Sequence, residues 1–330
     1  NDVLVEVGDV NLDFSGFTGV AVDVVEFFFR NTIKNEVRKA IEGFIRDEFN
    51  ALLDDLVSNL DVSSLGTSFD IPRLDAGSPI PLSFNVNFSS LDVSTQRALF
   101  GLGAGFNGPT AKGANSLGAP IPGGPLFVDP PVAQAVGVAV HVVVLNQILH
   151  TLWRAKFFDA TLGPSVLGSG APMGTQVDLE TNLPPQLILR PGGKADLHLG
   201  AARLSVIYPG LFDEPLRVEL GATARTNVTL NGDELAFGNL VLDEFYFSTP
   251  DASLDETTRD VLESFLRSLI QNLIDDSLND ALPALPIPSF ALPPSLSTYG
   301  LPVGAELGIS TPMLDSTTRH FYLDGSFGIR

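Results

Sequence analysis

Four histidines and the two Asp–Asp pairs stand out in this chain as residue types that could do chemistry. His141, His150, His198 and His320 stand far apart. None falls in the His-x-x-x-His or His-Glu-x-x-His spacing that sets two imidazoles on one helical face for zinc. His141 lies in an apolar run and His198 in a polar–apolar alternation, so both read as residues of packed strands. The chain has no cysteine, which removes disulfides, thiol nucleophiles and zinc–thiolate sites together. Asp9-Val-Asn11-Leu-Asp13 opens with calcium-loop spacing, but Phe14 stands where that loop needs glycine and Val20 where it needs glutamate. Gly101-Leu-Gly103-Ala-Gly105 precedes no helix, so it presents no helix N-terminus to a phosphate. The Gly-x-Ser-x-Gly elbow of hydrolases is absent. Asp54–Asp55 and Asp275–Asp276 flank apolar stripes near helix ends and read as solvated surface. The expectation is a protein that is not an enzyme and uses no metal and no cofactor. Asn87-Phe-Ser89 and Asn227-Val-Thr229 are glycosylation sequons, which matter only in a secreted eukaryotic protein.

Charge and hydropathy narrow the class further. Lys and Arg number 19 against 39 Asp and Glu, a net charge of −20. Nucleic acid is therefore not an expected partner, because neutralising phosphates needs clustered cations. An anionic membrane surface would repel the chain. The nearest thing to a basic patch, Arg30, Lys34, Arg38, Lys39 and Arg46, is interleaved with Glu36, Glu42, Asp47 and Glu48 and reads as a solvated helix face. Yet 44% of residues are hydrophobic and only 18% charged, with a mean hydropathy of +0.23. A core absorbs such a balance, and so would the lining of an internal cavity. The longest apolar stretch, Val132 to Leu149, is interrupted by Gln134, His141, Asn146 and Gln147 and follows Pro130–Pro131. A membrane span needs about 20 cleaner residues, so this stretch reads as a buried strand running into a helix.

Periodicity supplies the elements that must hold these residues. Residues 1–20 alternate as a strand pair about Gly8–Asp9. A long helix is expected from Val24 to Leu60, with Ile33, Val37, Ile41, Phe44, Ile45, Phe49, Leu52 and Leu56 in one stripe. Strands follow at Leu82–Phe88 and Ala98–Phe106. From Gly108 to Pro131 five Gly and six Pro break any regular structure, so this segment reads as a linker between domains. A second helix is expected over Val144–Phe158. Strands then recur at Gln176–Glu180, Gln186–Leu189, Ala195–Leu199, Arg203–Tyr208, Leu216–Leu220, Ala222–Leu230 and Leu235–Phe247, with Asn231–Gly232 as a hairpin turn. A third helix is expected from Leu254 to Leu282, striped by Val261, Leu262, Phe265, Leu266, Leu269, Ile270, Leu273, Ile274 and Leu278 and capped by Asp251 or Ser253. Pro283, Pro286 and Pro288 end it, and extended runs at Ala305–Ile309 and Phe321–Phe327 complete the pattern.

The pattern repeats. Leu91-Asp-Val-Ser-Thr-Gln-Arg-Ala-Leu-Phe-Gly-Leu-Gly-Ala-Gly-Phe106 matches Leu314-Asp-Ser-Thr-Thr-Arg-His-Phe-Tyr-Leu-Asp-Gly-Ser-Phe327, Leu53-Asp-Asp55 matches Ile274-Asp-Asp276, and the strand run Gly8-Asp-Val-Asn-Leu-Asp13 matches Gly238-Asn-Leu-Val-Leu-Asp243 at an offset of 230. The offsets, Leu91 to Leu314 and Leu53 to Ile274, differ by two residues. Each half therefore reads as strands, a long amphipathic helix and strands again, a diverged duplication. The second half has an early segment, from about Val132 to Glu234, that the first half lacks. The expectation is a chain that starts part-way through its first repeat.

This organisation resembles the family of bactericidal/permeability-increasing protein and lipopolysaccharide-binding protein within the tubular lipid-binding (TULIP) superfamily, as a bacterial member. The resemblance rests on several stretches. Val138-Ala-Val-His-Val-Val-Val-Leu-Asn146 leads through an Asn into the helix ending near Trp153, and Leu187-Ile-Leu-Arg-Pro191 follows. Later come the helix ending Ser277-Leu-Asn279 and the turn Leu282-Pro-Ala-Leu-Pro-Ile-Pro-Ser-Phe290. It implies an α+β fold of two barrel-like units, each a highly twisted antiparallel sheet wrapped on a long amphipathic helix. Residues 1–107 would form the N-terminal unit, 108–131 the Pro/Gly linker and 132–330 the C-terminal unit. The half-cystine pair of vertebrate members and their basic tip are both absent.

The implied function is binding or transfer of lipid, with acyl chains or another apolar ligand in hydrophobic grooves and a secreted, periplasmic or cell-surface setting. The groove candidates are Ile41, Phe44, Ile45, Phe49 and Leu52 in the first unit. In the second they are Val144, Ile148, Leu152, Phe265, Leu266, Leu269 and Leu273. Each of these could equally be ordinary packing of helix on sheet. The alternative role is a structural or assembly subunit of a secreted or surface complex. A protein partner or a second copy would then complete the first unit.

Overall fold

The computed structural model describes residues 39, 67–75, 77–93, 98–113, 116, 118–119, 136–167, 172–232, 234–275, 285–287, 289–291 and 302–329. Two compact units divide the chain, Asn1–Asp61 with Phe290–Glu306, and Val62–Ser289 with Leu307–Arg330. In the first, Lys39 is an exposed helical residue. The strand pair of residues 1–20, the rest of the helix over 24–60 with Ile41, Phe44, Ile45, Phe49 and Leu52, and most of 108–131 lie outside the described residues.

Alternation of apolar and polar residues builds the second unit. Strands β1 (Thr67–Ile71), β2 (Ile80–Val93) and β3 (Ala98–Asn107) form one antiparallel sheet in that order. Strand β4 (Val136–His141) runs into helix α1 (Val143–Arg154), as the apolar stretch predicts. A large curled antiparallel sheet follows. It contains β5 (Ala160–Leu162), β6 (Gln176–Thr181), β7 (Gln186–Arg190), β8 (Lys194–Tyr208), β9 (Phe212–Asn231), β10 (Glu234–Phe237), β11 (Val241–Ser248) and β12 (Leu285–Pro286). Its order is β12-β10-β9-β8-β6-β5, with β7 also beside β8 and β11 beside β9. A one-turn helix α2 (Pro164–Leu167) and the longer α3 (Glu256–Leu273) accompany it. The short β13 (Phe290–Ala291) belongs to the first unit. In the second, β14 (Glu306–Ser316) and β15 (His320–Ile329) pair, and β15 takes β4 as its other neighbour.

Three expectations about these strands change. The expected pairs Ala195–Leu199 with Arg203–Tyr208, and Leu216–Leu220 with Ala222–Leu230, are single strands β8 and β9. The interruption in β8 is a bulge at Gly200–Ala201, where Ala201 has φ 51°. A bulge adds local twist, which helps one long strand follow a curled sheet. In β9 the interruption is Gly221, and the ring of Tyr246 on β11 occupies the space where its side chain would stand. Conversely, the single run Leu235–Phe247 divides into β10 and β11. Gly238 donates its N–H to Asn227 O, and successive parts of β9 pair the two pieces.

The helices begin and end for local reasons. Asp255, not Asp251 or Ser253, caps α3. Its carboxylate accepts Thr258 N at 3.0 Å and Thr258 Oγ1 at 2.7 Å. These bonds from Thr258 hold the Asp255 carboxyl below its ordinary pKa. Helix α1 stops at Arg154, short of Phe158, because Lys156 turns into the left-handed region at φ 61°. Phe157 and Phe158 are buried beyond it.

The core lies where α1 and α3 meet the inner face of the curled sheet. Val177, Leu189, Val206, Val218 and Leu266 have no exposed surface. Fully burying such a side chain contributes about 1.5–3 kcal/mol. Two polar devices fix α1 within it. Asn146, fully buried, accepts Leu187 N at 2.7 Å and donates to Leu187 O at 3.2 Å. Its amide thus serves β7 as a neighbouring strand would. At the other end, Ala111 N and Lys112 N both donate to Arg154 O, at 2.9 and 3.0 Å. Lys112 Nζ then pairs with Asp159 at 2.9 Å, donates to Thr181 O, and lies 5.1 Å from the Trp153 ring centroid. The first residues of the Pro/Gly segment are therefore latched onto α1.

The two hairpins picked out by the repeat share a register. Leu91 pairs with Phe100, and Leu314 with Leu323, each shifted by 223 residues. The neighbouring pairs Asp92–Leu99 and Asp315–Tyr322 keep that offset, as do Ser90–Gly101 and Met313–Asp324. A bulge follows at the corresponding place in both hairpins, after Phe88 in one and after Ser310 in the other.

Candidate functional site

The seven described groove candidates line two helices and fall into two sets. Ile148 and Leu152 on α1, and Leu266 and Leu269 on α3, are at most 1% exposed within the core. Val144, Phe265 and Leu273 are half-buried at its margin. The Phe265 ring stands edge-on to Tyr208, with centroids 5.2 Å apart. None of the seven lines either of the two best-formed clefts among the described residues.

An apolar surface that the candidates missed lies on β2 and β3. Phe84 pairs with Phe106, Val86 with Ala104 and Phe88 with Leu102. Residues paired in this way point to the same side of a sheet. The rings of Phe84 and Phe106 stack at 4.7 Å, and Phe88 meets Phe100 edge-on at 6.4 Å. These side chains are half-buried, and Phe88 is 40% exposed. The opposite side is polar: Ser83, Asn85, Asn87 and Ser90 face Asn107 and three glycines. Ser90 and Asn87 fold over Gly101 and Gly103, which leave them room. The Gly-x-Gly-x-Gly run thus serves the packing of a sheet. The alternation Phe84-x-Val86-x-Phe88 was the available signal for this face.

At the end of the same sheet a cleft of about 540 Å³ is lined by Ser68, Asp70, Pro81, Leu82, Ser83, Asn107, Gly108 and Pro109. Its lining combines Leu82 and two prolines with the polar Ser68, Asp70, Ser83 and Asn107. A Cβ added at Gly108 would come within 2.7 Å of Leu82 Cδ2 and 2.9 Å of Thr151 Cγ2. The cleft therefore adjoins α1.

The ionisable residues assemble no reaction centre among the described residues. No group of three or more His, Asp or Glu converges there to hold a metal. Ser116 Oγ lies 2.7 Å from His150 Nε2, a nucleophile-and-base distance. The same hydroxyl accepts Gly118 N at 3.1 Å, which makes it part of a local turn. No carboxylate is hydrogen-bonded to His150 among the described residues. Burial, then Arg154, keep His150 below the ordinary imidazole pKa. His198 accepts or donates at 3.2 Å to Thr223 within the sheet. His141 and His320 meet across strands, with ring centroids 4.6 Å apart. No described helix is long and apolar enough to cross a membrane.

No family model matches the chain, and no curated protein matches it in sequence. Among solved structures, the crystal structure of lipopolysaccharide binding protein is similar, with a TM-score of 0.45 and 13% identity. The likeness covers 95% of this chain and 66% of that one, so this chain spans about two-thirds of that protein's length. At this level of superposition and identity, neither ligand nor site residues carry across.

Proposed function

We propose that this chain binds lipid, or another elongated apolar molecule, against apolar surfaces of two barrel-like units, and catalyses no reaction. The observation that carries the reading is the two-sided sheet β1–β3. One side is aromatic and aliphatic yet incompletely buried, and the other is Ser, Asn and Gly. Large apolar side chains left half-covered on one side of a sheet mark a binding surface. Burying each methylene of an acyl chain there contributes about 0.8 kcal/mol. A two-chain lipid could be held with no charged contact, which fits a chain of net charge −20.

The common register of the two hairpins supports the duplication. The division of the repeat into residues 1–107 and 132–330 about the segment 108–131, each half a twisted sheet on a long helix, is part of the same proposal and cuts across the compact units, which group residues 62–107 with 132–289. In this reading the half-buried Val144, Phe265 and Leu273 would contact ligand, with Ile148, Leu152, Leu266 and Leu269 as the packed layer beneath. Ile41, Phe44, Ile45, Phe49 and Leu52 would serve the first unit in the same way. The setting would be secreted, periplasmic or cell-surface. The half-exposed side of β2–β3 also suits the second reading, an assembly subunit whose apolar face meets a protein.

Native mass spectrometry of the purified chain, followed by organic extraction, tests both. Co-purifying phospholipid, fatty acid or sterol near one per unit is expected. The double variant Phe88→Ser/Leu102→Ser is expected to take up a fluorescent fatty acid about tenfold less well, the loss of roughly 1.4 kcal/mol of apolar contact. A clean apo mass with no uptake by the wild-type chain would overturn lipid binding. A clean mass with a stable dimer would favour assembly.

A further inference from the structure

His141 is the last residue of β4, and its ring supplies the first hydrogen bond of α1. Val143 N donates to His141 Nδ1 at 3.0 Å. The preceding amide, Val142 N, donates to Arg319 O at 2.8 Å. The first N–H groups of a helix have no partner within it, and α1 has no side-chain cap at Val142. The imidazole of His141 takes the place of one.

That role depends on charge. A nitrogen that accepts a hydrogen bond carries no proton, so the neutral ring holds its proton on Nε2. An imidazolium donates from both nitrogens and accepts at neither. Protonation of His141 therefore breaks the Val143 bond outright.

The surroundings oppose protonation too. His141 is 6% exposed and His320, directly opposite it across the strands, 3%. Their rings meet at 88° with centroids 4.6 Å apart, and the buried Nε2 of His141 has no hydrogen-bond partner. Among the described residues, the charged or titratable groups facing His141 are His320 and Arg319, and Tyr322 stacks on His320 at 5.8 Å. None of these is an anion. The positive end of the α1 dipole acts in the same direction. Burial first, then His320 and Arg319, hold the His141 pKa below the ordinary imidazole range.

We infer that His141 is an acid-released cap: neutral, it closes the junction between β4 and α1, and protonated, it opens that junction. Because β4 is the outermost strand of its sheet among the described residues, its release breaks no other described pairing than that with β15. The sign follows from linkage. A folded-state pKa below the unfolded one gives stability that is complete above the unfolded value and is lost as pH falls through the folded one. The inference is independent of the lipid reading.

An NMR titration of the intact chain from about pH 7 to about pH 5, within the range where histidines change charge, tests it. The ring of His141 and the amide of Val143 are followed together, with hydrogen exchange across residues 136–146. Both signals are expected to move in one step, below the pH at which free imidazole titrates. Exchange protection over 136–146 should fall about tenfold through that step. His141→Asn keeps an acceptor near the position of Nδ1 and cannot titrate, so the step should vanish. His150→Asn, which removes the histidine of α1 itself, should leave it intact. The inference is overturned if the Val143 step persists in His141→Asn, or if wild-type His141 titrates without moving Val143. It is also overturned if the ring stays neutral throughout. Should His141→Asn fail to fold, the wild-type titration alone decides.

Discussion

Asn146 shows how one side chain can carry an architectural task. The sequence marks it as a polar interruption of an apolar run and as part of a family resemblance. The fold explains it: its amide completes both backbone groups of Leu187, far along the chain. Asn146→Leu should strand a buried N–H and C=O together, costing about 2–5 kcal/mol. Urea denaturation would show a lowered midpoint at unchanged slope. A loss under 1 kcal/mol would mean that water or a neighbour replaces the amide. The histidines teach the opposite lesson. Their spacing contains no paired-histidine helical motif, and no spacing rule brings His141 to His320, because antiparallel pairing joins residues from distant parts of the chain.

At the scale of elements, the periodic signals for β2, β3, β6, β7 and α1 are readable, because burial on one face imposes a period of two or 3.6. Joins and breaks were less so. Gly200–Ala201 and Gly221 look like turns in a one-dimensional pattern, but a neighbouring strand on each side keeps β8 and β9 continuous. The Pro/Gly segment looks like a free linker, but its first residues are held by Lys112. Lys112→Ala leaves Asp159 bonded to Thr181 N and Oγ1 but without its cation. Removing one partner of a buried pair costs about 3–5 kcal/mol, a ceiling here because Asp159 retains those bonds. Thermolysin should then cut within residues 108–131 faster than in the wild-type chain. Equal rates would show that the latch does not restrain the segment. The groove candidates illustrate the same limit. A helical stripe identifies Ile148 and Leu266 as inward-facing, and only the fold shows that they are almost completely buried while Val144, Phe265 and Leu273 are half-covered.

At the scale of the whole molecule, charge sets which surfaces the protein can approach. With −20 in total, association with vesicles containing anionic lipid should be slower than with zwitterionic ones at low salt. The gap should close as salt is raised toward about 0.15 M, where the screening length is about 8 Å. Stopped-flow transfer of a fluorescent fatty acid to the two kinds of vesicle measures it. A rate indifferent to vesicle charge and salt would show that a local patch, rather than net charge, governs the encounter.

The sequence by itself determined the strand-rich character of the second unit, the junction of β4 with α1, the turn at Asn231–Gly232 and the two matching segments. Each of these is written in local periodicity or in turn residues, which act over a few positions. The tertiary structure decided which strands fuse, what Asn146 and Lys112 hold, that two distant histidines touch, and that the apolar side of β2–β3 remains half-uncovered. Those outcomes depend on long-range pairing and on the space left after packing, and no window of neighbouring residues contains either.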